Sequence, residues 1–165
     1  MEYDARYIAN FILMKFDATS YLISNKKINK LIYMCHGHFL AELHRSIIRN
    51  HVEAWEHGPV YRVVYDSFKK FEFRPIKDLA EYYDFRKGHQ VIADPSCLSI
   101  GDQEFLYATC SKYIDFSANE LEKLTHDPSG PWAEVFLGNR KSWSNRICTT
   151  EIGRYFSNRI NSPRN

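Results

Sequence analysis

Apolar positions along this chain recur mostly at three- and four-residue intervals, which is the period of a helix with one buried face. In residues 4–16, Ile8, Ala9, Ile12 and Phe16 share a face, and Asp4 stands where a helix N-cap belongs. The stretch "SYLISNKK" reads as a polar break. The clearest stripe runs over residues 26–43, through Ile28, Leu31, Ile32, Cys35, Phe39 and Leu43. Gly37 lies inside it. A glycine there costs about 1 kcal/mol relative to alanine, and it commonly permits another element to pack close.

The period then breaks. Residues 46–55, "SIIRNHVEAW", predict two short strands around Arg49 and Asn50, or an irregular ribbon. Pro59 suits the first turn of a following helix, where its missing N–H costs nothing. That helix extends to about Lys70 with Val60, Val63, Val64, Phe68 and Phe71 facing inward. Residues 72–97 mix aromatics, charges, Gly88 and two prolines, and predict a long, partly ordered loop with room for a short strand pair. Ser99 with Asp102 resembles a capping box opening a helix through Tyr113, and Ser117 with Glu120 is a better one. Pro131 opens a short helix holding Trp132, Val135 and Phe136. Thr149 or Thr150 starts a last one with Ile152, Tyr155, Phe156 and Ile160. The reading is a mainly α protein: a single compact helical domain of five to seven helices with a small β-hairpin or short strands. It spans residues 1–160, with a loose tail at 161–165.

Composition adds bounds. With 165 residues and 44% hydrophobic content, one sizeable core is expected. A formal charge of +2 is too near neutral to argue for nucleic acid or an anionic membrane as an obligatory partner. Apolar runs are too short to span a bilayer, and Glu2 and Asp4 stand where a signal peptide carries positive charge, so a cytoplasmic protein is expected. Cys35, Cys97, Cys110 and Cys148 form no CxxC pair and are expected to be reduced and mostly buried.

The search for chemistry yields little. "CHGH" at 35–38 suggests a metal site, but on a helix His36 and His38 point about 200° apart and Cys35 lies about 100° from His36. No HExxH, P-loop or G-x-G-x-x-G occurs. His126, Asp127 and Ser129 invite a comparison with a catalytic triad, yet neighbours on one turn do not ordinarily reach triad geometry. The expectation is that His126 and Asp127 end a helix and position Trp132. Glu53, Glu56 and Asp66 make no obvious carboxylate pair. Lys26, Lys27 and Lys30 gather at a helix start, where cations are disfavoured. A solvated face is expected there, with an acidic partner or DNA as the alternative. No catalytic residue, metal or cofactor is assigned.

Several separated motifs occur in one order over nearly the whole chain: "YDARYIANFIL", "INKLIYMCHGHFLA", "VEAWEHGPVYRVVYDSFKKF", "SANELEKLTHDPSGPW" and "TTEIGRYF". This arrangement resembles the Panacea domain family, the SocA-like antitoxin domain formerly known as a phage-associated domain of unknown function. Its EAW-x-x-GPV signature is matched by Glu53, Ala54, Trp55, Gly58, Pro59 and Val60. Its LTH…PW element is matched by Leu124, Thr125, His126, Pro131 and Trp132. Two departures stand out. Asn29 and "MCHGHF" replace the usual residues of helix two, and the 72–97 stretch is individual to this chain. The resemblance implies a non-enzymatic role: an antitoxin of bacteria, phages or mobile elements that binds a cognate toxin protein directly. Some relatives act as adaptors that present the toxin to a cytoplasmic protease. The alternatives are an enzyme or metal protein using His36 and His126, and a DNA-binding regulator using the lysines.

Both tryptophans of those motifs lie beside Gly-Pro pairs, Gly58-Pro59 and Gly130-Pro131. A glycine and a proline together make a rigid turn on which an aromatic ring can pack. Glu53, Gly58, Pro59 and Pro131 are therefore taken as the structural part of the motif. Trp55, Tyr61, Arg62, Tyr65, His126 and Trp132 are taken as partner-binding candidates, with Tyr61, Arg62 and Tyr65 pointing outward from the helix after the turn. Tryptophan, tyrosine and arginine are the residues that most often anchor interfaces.

Overall fold

The structure is a computed structural model that describes residues 1–138 and 145–161. Seven α-helices dominate these residues: α1 (Ala5–Lys15), α2 (Asn25–Glu42), α3 (Arg62–Phe68), α4 (Ile100–Ser111), α5 (Ala118–Thr125), α6 (Pro131–Gly138) and α7 (Thr149–Asn161). Five short strands complete the set. β1 (Val52–Trp55) pairs antiparallel with β2 (Gly58–Val60) and with β5 (Arg146–Ile147), in the order β2-β1-β5. β3 (Glu81–Asp84) and β4 (His89–Ile92) form a separate hairpin. Of the expected loose tail, Asn161 ends α7 and 162–165 lie outside the described residues.

The capping residues act as the sequence suggests. Asp4 accepts from the Arg6 backbone N–H, and Ser99 accepts from Asp102 N–H at 3.2 Å. Ser117 and Glu120 form a reciprocal box: Glu120 N–H donates to Ser117 Oγ at 3.2 Å, and Ser117 N–H to Glu120 Oε2 at 2.7 Å. Satisfying the first-turn N–H groups in this way sets where each helix starts.

Helix α2 is the axis of the fold. Fifteen of its eighteen residues are buried, so it is enclosed on every side rather than along one stripe. Gly37 explains how α7 reaches it. A Cβ added there would lie 2.4 Å from the Phe156 ring, so α7 presses an aromatic face onto bare backbone. Enclosure also corrects the expected lysine face. Lys26 is partly accessible, but Lys27 and Lys30 are buried at 2% and 1% exposure. Lys27 Nζ donates to the carbonyls of Tyr21 (2.5 Å) and Ile114 (2.7 Å), and burial lowers its pKa. The long apolar stems fill core space while the amines find carbonyl acceptors, which a helical-period stripe does not reveal.

The segment after α2 differs from expectation in register. Arg49 and Asn50 are not a hairpin turn. Ile48 bridges in parallel to Tyr3, and Asn50 Oδ1 accepts from Ala5 N–H at 2.7 Å, closing the start of α1. The real hairpin turns at Glu56-His57. Pro59 consequently sits in β2, opposite Ala54, and not in the first turn of a helix. β2 is an edge strand, where proline's missing donor leaves no ladder bond unmade. Val60 belongs to β2 as well, and α3 starts two residues later.

The 72–97 stretch holds the anticipated strand pair, and one buried residue of α1 ties it down. Asn10 Nδ2 donates to the Ala80 and Ala93 carbonyls, both at 2.9 Å, while Ala80 N–H donates to Asn10 Oδ1 at 2.7 Å. One amide thus holds both ends of the hairpin.

The cysteines divide evenly. Cys35 and Cys110 are buried, but Cys97 and Cys148 are exposed, so "mostly buried" is corrected to half. Cys148 precedes α7, and the backbone N–H groups of Glu151 and Thr150 hold its thiol below the ordinary range. Burial pushes Cys97 up. Iodoacetamide near neutral pH is expected to label Cys148 first, Cys97 more slowly, and the other two only after denaturation, as read by peptide mass spectrometry. Native labelling of Cys35 or Cys110 would contradict this packing.

Candidate functional site

The site is built on the β1–β2 turn. Gly58 has φ +99, in the region that favours glycine. A Cβ there would also lie 2.8 Å from Lys30 Cε and 2.9 Å from Thr125 Oγ1. Lys30 donates from Nζ to the Pro59 carbonyl at 3.0 Å. The corner is therefore clamped between α2 and α5 by a buried amine and a helix-terminal threonine. Burial drives the Lys30 amine down to about 7, against the pull of Glu122.

Trp132 locks the other side of the corner. Its Nε1–H donates to the Trp55 carbonyl at 2.8 Å, bringing the two Gly-Pro elements together. His126 caps α5 and stacks on the Trp132 ring at 3.7 Å and 5°. Phe136 stacks on Trp132 at 4.9 Å. Burial keeps His126 below its ordinary pKa, so the ring is a neutral stacking surface near pH 7. Trp132, at 5% exposure, and the half-buried His126 thus hold the corner and present little surface to a partner.

Tyr61 is corrected more sharply. It precedes α3 in extended backbone and is fully buried, turned toward α2 rather than outward. Its backbone N–H donates to Asn29 Oδ1 at 2.9 Å, and its hydroxyl lies 2.7 Å from His36 Nδ1. His36 Nε2 lies 3.1 Å from Ser46 Oγ, whose hydroxyl donates to the Ile48 carbonyl. Ser46 therefore accepts from His36 Nε2–H, and His36 Nδ1 accepts from Tyr61. Burial lowers the His36 pKa to about 4. His38 pairs with Glu42 (2.5 Å) and the Tyr113 hydroxyl (2.7 Å) on another side of the helix. Both of these imidazoles are engaged in packing, and among the described residues no cluster of three or more metal-ligating side chains forms.

Nor do His126, Asp127 and Ser129 assemble as a triad. Asp127 accepts from Ser129 through Oδ1, and from Tyr155 and Arg159 through Oδ2, while His126 faces Trp132.

Two of the remaining candidates, Trp55 and Tyr65, line an open groove of about 490 Å³ between the start of α2, the β1–β2 turn and α3, and the third, Arg62, stands beside Trp55. Trp55 and Tyr65 form one wall, edge to face at 4.8 Å, with the Arg62 guanidinium 5.8 Å from the Trp55 ring centre. The Trp55 Nε1–H donates to Glu53 Oε2 at 2.7 Å, which fixes the ring. Tyr65 is 36% exposed and Phe73, at the rim, 83%. Asn25, Asn29 and Lys30 line it as well, and Lys26 and Lys69 are balanced there by Glu56 and Glu72. Glu122 on α5 gathers the far end: it pairs with Lys26, and His57 lies 3.1 Å from its Oε1. Burial works against its charge, but the hydrogen bonds from Lys26 and His57 outweigh that and lower its pKa.

Sequence reasoning passed over Glu122 and Phe73, and it noted Lys30 and Asn29 without placing them at this site. One signal was present. Asn25/Asn29 and Lys26/Lys30 are i, i+4 pairs, a polar line along an otherwise apolar helix.

Lys30 offers a test of the clamp. Its folded pKa lies below the unfolded lysine value of about 10.4, so between about pH 7 and 10 the unfolded chain binds more protons and stability rises with pH. Charging this buried amine costs of the order of 4 kcal/mol when complete; the Pro59 hydrogen bond returns about 1. Lys30→Met is expected to be more stable than the parent at pH 7 by about 1–3 kcal/mol and to lose the rise between pH 7 and 9. Urea denaturation at several pH values measures both. An unchanged slope would show that the amine is not buried as described.

Three comparisons bear on identity. The family model for Antitoxin SocA-like, Panacea domain matches residues 28–133. Antitoxin SocA of Caulobacter vibrioides (strain NA1000 / CB15N) is 34% identical over 137 residues, covering 82% of this chain and 71% of that protein. No solved structure matches. The matched stretch carries α2, the Gly58 corner, α5 and Trp132, and the chain belongs to the SocA-like antitoxin family with the Panacea domain.

Proposed function

We propose that this protein is the antitoxin of a toxin–antitoxin pair and neutralises its cognate toxin by binding it directly at the Trp55 groove. The observation that carries the reading is the union of an open aromatic wall with a rigid base. Trp55, Tyr65 and Arg62 are accessible, while the backbone beneath them is clamped by Gly58, Lys30 and Trp132. Preordered aromatic and guanidinium groups lose little entropy on binding, which is what a hot spot needs. A standard interface of roughly 1,600 Å² in total would extend from the groove over Phe73 and the outer face of α3, enough to occlude a toxin's working surface. Coexpression tests this: growth arrest by the cognate toxin is relieved by the parent protein and not by a folded Trp55→Ala/Tyr65→Ala variant.

Delivery of the bound toxin to a cytoplasmic protease is a second stage of the same reading. The β3–β4 hairpin supports it, because Tyr83 and Phe85 form an exposed ring pair at 5.0 Å and neither lines the groove. Toxin half-life in cells distinguishes the two stages. Occlusion alone leaves it unchanged, and delivery shortens it.

A further inference from the structure

Phe73 stands at the groove rim with 83% of its surface exposed, on backbone that is strained and yet tightly held. We propose that this ring is a preformed finger that enters an apolar pocket on the toxin. The proposal rests on the antitoxin reading above and adds a second anchor to the Trp55 wall.

The local chain is built to present the ring. A short 3-10 turn, Lys69–Phe71, follows α3 directly, and Phe71 packs against the core. Glu72 then takes φ 56 and ψ −115. These are the angles of the first central position of a type II′ turn, where glycine is the ordinary residue and a side chain is strained. Hydrogen bonds hold the turn on both sides. Glu72 N–H donates to the Lys69 carbonyl at 3.1 Å, and Arg74 N–H to the Phe71 carbonyl at 2.9 Å. The Arg74 side chain adds Nε–H to the Phe71 carbonyl at 3.3 Å and Nη2–H to the Lys70 carbonyl at 3.2 Å. The chain thus reverses between two phenylalanines, one packed on the core and one left in water.

A strained peptide costs the free protein stability, and an ordered ring left in water contributes none. Burial against a partner supplies that missing gain, and a ring on backbone already fixed loses little entropy on binding. The surrounding charges favour an apolar pocket. Lys69, Lys70 and Arg74 are matched in number by Asp66, Glu72 and Asp78, with Lys69 paired to Asp66 at 3.1 Å and Lys70 to Asp78 at 2.5 Å. The finger carries no net charge, so apolar area is what it offers.

The test measures the dissociation constant for the cognate toxin with the full chain as parent, Phe73→Ala, Phe73→Leu and Trp55→Ala/Tyr65→Ala, together with melting temperatures. Phe73→Ala is expected to weaken the complex about 30-fold, the loss from one buried phenyl ring, at an unchanged melting temperature. Phe73→Leu keeps apolar bulk and is expected to stay within about fivefold of the parent. Glu72→Gly is expected to raise the melting temperature, because glycine takes the same angles without strain. If Phe73→Ala binds within about twofold of the parent while the groove variant fails, the finger is overturned and the groove reading stands. If Phe73→Ala weakens binding and the groove variant does not, the finger stands and the groove reading falls. Tighter binding by Phe73→Ala would mark the ring as a lid over the groove, and a lower melting temperature for Glu72→Gly would remove the strain; either result overturns the proposal.

Discussion

Gly37→Ala is expected to destabilise the fold by about 2–3 kcal/mol, although alanine is the better helix former by about 1 kcal/mol. The added methyl would meet three atoms of the Phe156 ring at 2.4–2.5 Å. That ring is held by edge contacts with Tyr33, His38 and Tyr155, so it cannot turn aside cheaply. The same geometry makes a second expectation. Phe156→Leu alone costs about 1 kcal/mol, but added to Gly37→Ala it relieves the clash, so the double variant is less destabilised than the two singles summed. Urea unfolding of all four proteins closes the cycle. Simple additivity would mean that α7 does not pack on Gly37 as described.

How far the sequence foretold this arrangement depends on which forces set each element. The seven helices were legible because caps and apolar period are local signals: Asp4, Ser99 and Ser117 each stand where a helix begins. Gly37 was legible as a close-packing position, but its partner was not, since Phe156 lies over a hundred residues away. Pro59 was misread because proline suits both a helix start and an edge strand. What decided between them was β1, a partner strand whose hydrogen bonding no local pattern displays. Tyr61 followed that error. Counted from a helix beginning at Pro59 it pointed outward, whereas in the real chain it precedes α3 and turns in to meet Asn29 and His36. Lys27 and Lys30 defeated composition itself, because a buried lysine is recognised only by the carbonyls that receive its amine.

The candidate site shows the same division. Trp55, Arg62 and Tyr65 were visible as residue types; Trp55 and Tyr65 meet in the groove wall with Arg62 beside Trp55, while Trp132 and His126 turn out to build the base beneath it. On that geometry, Trp55→Ala is expected to weaken the toxin complex by about 100-fold, the loss typical of a central aromatic anchor. Tyr65→Ala follows at about tenfold or more, and Arg62→Ala, whose side chain is largely solvated, at less than tenfold. Truncating Trp55 leaves its backbone carbonyl, and hence the Trp132 hydrogen bond, in place, so the corner survives the change. Tyr61→Phe serves as the contrast. It removes a buried hydroxyl and is expected to cost stability while leaving affinity for the toxin unaltered.

The central claim is that an aromatic wall on a clamped glycine corner grips another protein. The most direct measurement is the dissociation constant between this protein and its purified cognate toxin, for the parent and for Trp55→Ala/Tyr65→Ala, each shown to be folded by circular dichroism. The account predicts a tight parent complex and a loss of at least about a hundredfold in the double variant. A folded double variant that binds the toxin as tightly as the parent would contradict it.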